Sequence, residues 1–328
     1  MEDLAARFGV TDLADRQAAV EARIRSVLIS GGTDLGIPSW RVANAGGKRL
    51  RPLFTIVCAE LAGVFDQRVV DGAAAIELVQ VGSLIHDDLF DAAQTRRGAS
   101  TINAVEGSSH ALLAGNWVLA AASELAIGVN AASASLIAET VARLCVGQMV
   151  EFQELFNLDR SVDSHMGSIR GKTAALFEAA CRMGAICADL EPPQADAAAR
   201  FGDAFGMSFQ VMDDLLDILG DPVKLGKPVG VDLLAGVYTL PLLTALRGPH
   251  GDEVRVSLGR RHEIDVEATL DVVARSDGVA TARALIDQQN EVARAAARQL
   301  PPGPVSAGMQ AFPADYARWA FETLTLVQ

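Results

Sequence analysis

Apolar residues recur along this chain at steps of three and four, the spacing of one face of an α-helix. The segment 11–30, TDLADRQAAVEARIRSVLIS, has this period and offers Thr11 as a cap for its start. Residues 51–64, RPLFTIVCAELAGV, follow a glycine pair and carry Pro52 where a first helical turn accepts it. The stretch 69–93 is apolar on nearly every side, which predicts a central helix surrounded by others. Further helices are predicted over 110–129, 133–156, 164–188 and 195–219, with a last one beginning at Pro313. No run alternates apolar and polar residues for long, so strands are not expected. Loops are expected at 31–38, 96–100, 220–230, 248–253 and 301–304, none with the composition of a flexible linker. The pattern predicts a single all-α domain over 1–328, a large bundle of helices.

Composition narrows this picture. Half of the 328 residues are hydrophobic and only 5% are aromatic, which suits helices packed closely through short side chains. The net charge is −13 and no basic stripe is visible, which argues against nucleic acid and against anionic membranes as partners. Cys58, Cys145, Cys181 and Cys187 show no CxxC spacing and lie among apolar neighbours, so buried free thiols are expected. The acidic amino terminus has no apolar stretch of the kind a signal peptide needs. No uncharged apolar window long enough for a membrane span is expected, and a cytoplasmic location fits.

The chemistry lies in two acidic helix ends. In SLIHDDLFDAAQTRRG, residues 83–98, Asp87 and Asp91 stand four apart on one helical face, about 6 Å along the axis, with Asp88 turned about 100° away. Like charges beside apolar surface resist ionisation. A divalent cation resolves the conflict, and hard oxygen donors of this kind suit Mg2+ shared with a phosphate. FQVMDDLLD repeats the device with Asp213, Asp214 and Asp217. Cations accompany the clusters. Lys48, Arg49 and Arg51 follow a glycine pair, Arg96 and Arg97 follow the first cluster, Lys172 and Thr173 sit in IRGKTAALF, and Lys227 sits in KLGKPVGVDL. The expectation is a cavity among helices, with metal ligands on two walls and cations at the rim, where a diphosphate leaves with assistance.

These segments resemble the trans-isoprenyl diphosphate synthase (polyprenyl synthase) family. GGKRLRP, SLIHDDLFDAAQTRRG, GKTAALF, FQVMDDLLD, GKPVGVDL and GVYTLP occur in the family's order. The resemblance implies the isoprenoid synthase fold, an all-α bundle around a deep central cavity, and a homodimer. It implies condensation of an allylic diphosphate with isopentenyl diphosphate, head to tail. Asp87, Asp91, Asp213 and Asp217 match the family's ligands for Mg2+, three ions with the diphosphate bound, with Mn2+ as an alternative. Asp88 and Asp214 match the middle carboxylates. Arg96, Lys172 and Lys227 match residues that hold the allylic diphosphate. Lys48, Arg51 and Arg97 match those that hold isopentenyl diphosphate, and Thr173 and Gln210 match polar groups beside the carbocation. The released diphosphate is the implied base.

The sequence departs from the family at three places. Gln80 stands where a histidine of the isopentenyl diphosphate site is common, Asn116 replaces a usual aspartate, and the chain ends TLTLVQ without a common arginine. Small residues at Gly82 and Ser83, where bulky ones end the product early in this family, imply a medium- to long-chain product, longer than farnesyl diphosphate. On that reading Gly82→Phe shortens the product, unless Trp117 or Phe177 forms the floor. Two rival activities remain. Gln80 suits a terpene cyclase or diphosphate lyase on the same scaffold, against which Lys48, Arg51 and Arg97 argue. A non-catalytic subunit regulating another synthase would be expected to have lost aspartates that are intact here.

Overall fold

The computed structural model describes residues 6–226, 228–259 and 264–325. It is helical almost throughout. The helices of eight residues or more are α1 (Leu13–Ser30), α2 (Ile37–Asn44), α3 (Leu50–Glu60), α4 (Gln67–Phe90), α5 (Ser108–Val129), α6 (Ala131–Gln153), α7 (Val162–Ile169), α8 (Ala175–Cys187), α9 (Pro192–Leu219), α10 (Leu240–Arg247), α11 (Gly251–Leu258), α12 (Val266–Arg275), α13 (Asp277–Ala297) and α14 (Pro304–Leu324). The all-α expectation holds. The one sheet among the described residues pairs Thr95–Arg96 with Ala99–Ser100, antiparallel.

Packing divides the chain into two compact units. The first comprises Met1–Ala142, Leu176–Gly202 and Ala297–Gly308; the second comprises Arg143–Ala175, Asp203–Ala296 and Met309–Gln328. In the first unit α4 is the central helix. Its N-cap Asp66 accepts from the backbone N–H groups of Arg68 and Val69, and Ala73, Ala74, Ala75, Ile76, Leu78 and Val79 are wholly buried. Ile76, Leu78 and Val79, removed from water in this way, each contribute about 1.5–3 kcal/mol before entropy is counted, and each alanine methyl about 0.8 kcal/mol. Around it Phe54 meets Phe8, Phe177 and Phe201 edge-on, at centroid separations of 6.2, 6.0 and 5.5 Å. In the second unit Phe205, Phe312 and Tyr316 form one aromatic group. Leu242, Leu243, Val254 and Val273 centre another apolar cluster.

Several local expectations are corrected. Helix α1 starts after Asp12, which takes a left-handed backbone (φ 55°), so Thr11 is not its cap. The segment 32–36 is a π-helical turn rather than a loop. The run 164–188 is interrupted by a second π-turn, Arg170–Ala174. The last helix begins at Pro304 and holds Pro313 inside it. Cys145 is exposed, whereas the other three thiols are buried as expected. Two helices are long and apolar enough to cross a membrane by length and composition, which the sequence reading did not anticipate. They are α4, with 72% of its apolar window buried, and α5, with 39%. Core packing accounts for the apolarity of α4.

Candidate active site

The carboxyl end of α4 carries the first acidic cluster. Asp87 is half-buried, Asp91 is exposed, and Asp88 is buried. Asp88 Oδ1 accepts from Arg96 Nε at 2.6 Å, while its Oδ2 is buried without a hydrogen-bond partner. Burial holds the Asp88 carboxyl above the usual carboxylate range against the pull of Arg96, and Asp91 pushes the same way as burial. Arg96 reaches back because the chain reverses at once. Arg96 pairs with Ala99 across a two-residue turn in which Arg97 (φ 51°) and Gly98 (φ 80°) both take left-handed conformations.

The turn aims Arg97 at the glycine pair. Its Nη1 donates to Gly46 O, and a Cβ at Gly47, whose φ is 147°, would lie 2.6 Å from that nitrogen. That φ strains any residue with a side chain, and a Cβ there would push the guanidinium aside. Arg51 lies over the Phe177 ring at 4.5 Å, with a buried Nε that has no hydrogen-bond partner. Burial pushes the Arg51 guanidinium down to about 10; the Arg97 charge adds to that, and Glu77 opposes it. Burial lowers Arg97 too, with Arg96 and Arg49 acting in the same direction. The first unit thus holds cations together at an electrostatic cost that a bound anion would offset.

Arg49 has a different task from its neighbours. It spans Glu21 and Glu77, at 3.0 and 2.7 Å, and donates to Ala43 O at 2.6 Å. Glu77, the one acid of α4 between Asp71 and Asp87, is a residue that no motif marks, although its isolation among apolar neighbours is a signal. Lys48 is exposed, Gln80 is half-buried with its carbonyl accepting from Ser83 Oγ, and Asn116 is exposed. Gly82 is directed at α5: a Cβ there would lie 3.0 Å from Leu119 Cδ2 and 3.3 Å from Gly115 O. Close packing of α4 on α5 therefore gives Gly82 a structural reason apart from product length. Phe177 lies beneath Arg51, and Trp117 covers Gly31.

The second unit carries the other cluster on α9. Asp213 is half-buried, and Asp214 and Asp217 are buried. Asp214 Oδ1 accepts from Gln210 Nε2 at 2.9 Å and its Oδ2 faces His165 Nε2 at 3.2 Å. Gln210 Oε1 accepts from Thr173 Oγ1 at 2.7 Å. Asp217 accepts from the backbone N–H groups of Val231 (3.3 Å) and Asp232 (3.1 Å), and so caps the short helix Val231–Ala235. Lys172 projects from the π-turn and pairs with Glu151 at 2.5 Å. Backbone contact seats that turn, since a Cβ at Gly171 would lie 2.8 Å from Gly147 Cα. Burial and Asp213 both push the Tyr316 hydroxyl far above its ordinary range. Lys227 lies outside the described residues.

The first unit therefore brings together Asp87, Asp88, Asp91, Arg96, Arg97 and Arg51, and the second brings together Lys172, Thr173, Gln210, Asp213, Asp214 and Asp217. Among the described residues no three acidic, cysteine or histidine side chains form a ready-made cation cage. The hard oxygens of Asp87, Asp91 and Asp213 suit Mg2+. Asp217 fits less well, because both of its oxygens are engaged by backbone.

An all-helical chain with two D-D-x-x-D helix ends and clustered cations defines a class of diphosphate-handling helical enzymes. A family model described as Polyprenyl synthetase matches residues 35–273. Heptaprenyl diphosphate synthase component 2 of Geobacillus stearothermophilus is 34% identical over 278 residues, 84% of this chain and 87% of that protein. Nonaprenyl diphosphate synthase of Mycobacterium tuberculosis is 37% identical over 266 residues, 80% of this chain and 79% of that one. The crystal structure of polyprenyl synthase from Caulobacter crescentus, complexed with calcium and isoprenyl diphosphate, superposes with a TM-score of 0.87 at 29% identity, over 95% of this chain and 97% of the other. This chain belongs to the polyprenyl synthetase family and has its all-α isoprenoid synthase fold. It is a trans-prenyltransferase, and membership implies a divalent cation.

Proposed function

We propose that this chain condenses an allylic prenyl diphosphate with isopentenyl diphosphate, head to tail, and releases an all-trans product longer than farnesyl diphosphate. The observation that carries the two-substrate reading is the cation group of the first unit, where Arg97 is held close enough to Arg51 to lower that residue's affinity for a proton. A cyclase or lyase working on one diphosphate has no use for that second anion site. The names of the two relatives above, heptaprenyl and nonaprenyl diphosphate synthase, support a long product.

In this reading Asp87, Asp91 and Asp213 hold divalent cations, Mg2+ in the first place and three in number, which supply positive charge to the departing diphosphate. Arg96, Lys172 and Lys227 hold its remaining oxygens. Arg96 is oriented for this by Asp88, and Lys172 by Glu151. Lys48, Arg51 and Arg97 fix the isopentenyl diphosphate, with Gln80 as a neutral donor beside it. The allylic C–O bond breaks, the isopentenyl double bond forms the new C–C bond, and the proton leaves to released diphosphate. Thr173 and Gln210 turn oxygen toward the developing cation. The chain works as a homodimer, which the exposed Leu112, Leu113 and Ile127 of α5 favour.

Incubation with farnesyl diphosphate, labelled isopentenyl diphosphate and Mg2+ is expected to give a labelled, longer prenyl diphosphate. Chelation abolishes it, and Asp87→Ala lowers turnover by about 10²–10³-fold. Hydrocarbon or alcohol formed without isopentenyl diphosphate would overturn the reading.

A further inference from the structure

The middle aspartate of the second cluster sits within a polar chain whose far end, His165, the activity does not explain. His165, on α7, and Asp214, on α9, are both buried, at 1% and 2% exposure. Their contact at 3.2 Å is the only hydrogen bond described for the imidazole ring, whose Nδ1 has no partner. Beyond Asp214 the chain continues through Gln210 to Thr173, at 2.9 and 2.7 Å. Arg160, one residue before the N-cap of α7, is also buried. It donates to Tyr238 O at 3.3 Å, and burial lowers its guanidinium from the ordinary range against the pull of Glu151, Glu154 and Asp214. The start of α7 therefore offers Asp214 both a donor and a nearby positive charge.

The chain has one polarity. An ionised carboxylate only accepts, so the amide of Gln210 must turn its NH2 to Asp214. Its carbonyl oxygen then faces Thr173, whose hydroxyl must donate to it. The lone pairs of Thr173 are left free to face a cation. If Asp214 loses its orienting donor, its carboxylate can rotate away from Gln210; the freed amide can then invert, so that Thr173 accepts and its O–H dipole opposes positive charge.

We propose that His165 is a positioning residue for the condensation: it holds Asp214, which fixes the Gln210 amide and so aims the Thr173 oxygen at the allylic cation. This rests on the prenyltransferase reading and adds to it a group that touches neither substrate. His165→Leu removes the donor at similar size, and His165→Gln keeps an N–H of similar reach.

The test is steady-state kinetics of the wild-type chain and both variants with farnesyl and isopentenyl diphosphates, each protein first checked by thermal melting. His165→Leu is expected to lower kcat about 10–100-fold, the range seen when a supporting partner of a functional group is removed, with both KM values within about twofold. His165→Gln is expected to restore most of the loss. If the leucine variant does not fold, His165→Asn, polar but too short to reach Asp214, takes its place with the same expected loss. An active wild type beside a leucine variant of equal kcat overturns the positioning role alone. So does a glutamine variant as impaired as the leucine one, or a loss confined to KM. A wild type that forms no product from these substrates overturns the functional reading first.

Discussion

Aspartates of identical spacing do different work. Asp87 and Asp91 end α4 with oxygens suited to a cation, whereas Asp217 spends its carboxylate on the backbone of Val231 and Asp232. Asp217→Ala is accordingly expected to cost about 0.5–2 kcal/mol of unfolding free energy, the range for losing a helix cap, read from a denaturant melt. Arg51 gives a pH signature. Burial brings its folded value down to about 10, below the ordinary arginine range, so its charge is largely kept below about pH 9 and is lost as pH rises through 10. Isopentenyl diphosphate favours the charged form, and its affinity should fall up to about tenfold per pH unit beyond 10. Calorimetric binding between pH 8 and 11 measures this; Arg51→Gln should make the profile shallower, because it removes one of the groups that titrates there. The sequence made the acidic clusters, Thr173 and Gln210 legible, since the motifs are local. It hid Glu77, Arg160 and His165, whose partners lie 28, 78 and 49 positions away.

Among the elements, α4 and α5 show what a small residue can mean. Gly82 presses on Leu119 and the carbonyl of Gly115, and a Cβ at Gly115 would collide with the His86 ring. Gly82→Phe is therefore expected to destabilise the fold by about 1–3 kcal/mol through overpacking, seen as a lower thermal midpoint, with any retained product as long as that of the wild type. Helix positions were legible because each buries one face, and the period survives in sequence. The π-turn at Arg170–Ala174 was not: one extra residue per turn alters a hydrophobic pattern too little to read. Its reason is the touching of Gly171 and Gly147, which places Lys172 beside Glu151. The hairpin at Arg97–Gly98 was likewise read as a loop, since its strands are two residues long.

For the molecule as a whole, the all-α class followed from periodicity, but the division into two units did not. Its boundaries at Ala142 and Gly202 fall inside α6 and α9, where no glycine–proline run or change in composition marks them. Assembly is testable at this scale. Sedimentation equilibrium is expected to give twice the 34.5 kDa chain mass, and Leu113→Asp with Ile127→Asp should shift it toward one; a wild-type monomer would contradict the homodimer. The repelling arginines bear on the folded chain as well as on the substrate. Whatever multivalent anion settles among them returns the cost of keeping them together, about 2.7 kcal/mol at a concentration one hundred times its dissociation constant. The protein's resistance to heat is thus expected to depend on the buffer it is kept in, with a thermal midpoint that rises when pyrophosphate is added and stays put with an equal ionic strength of chloride.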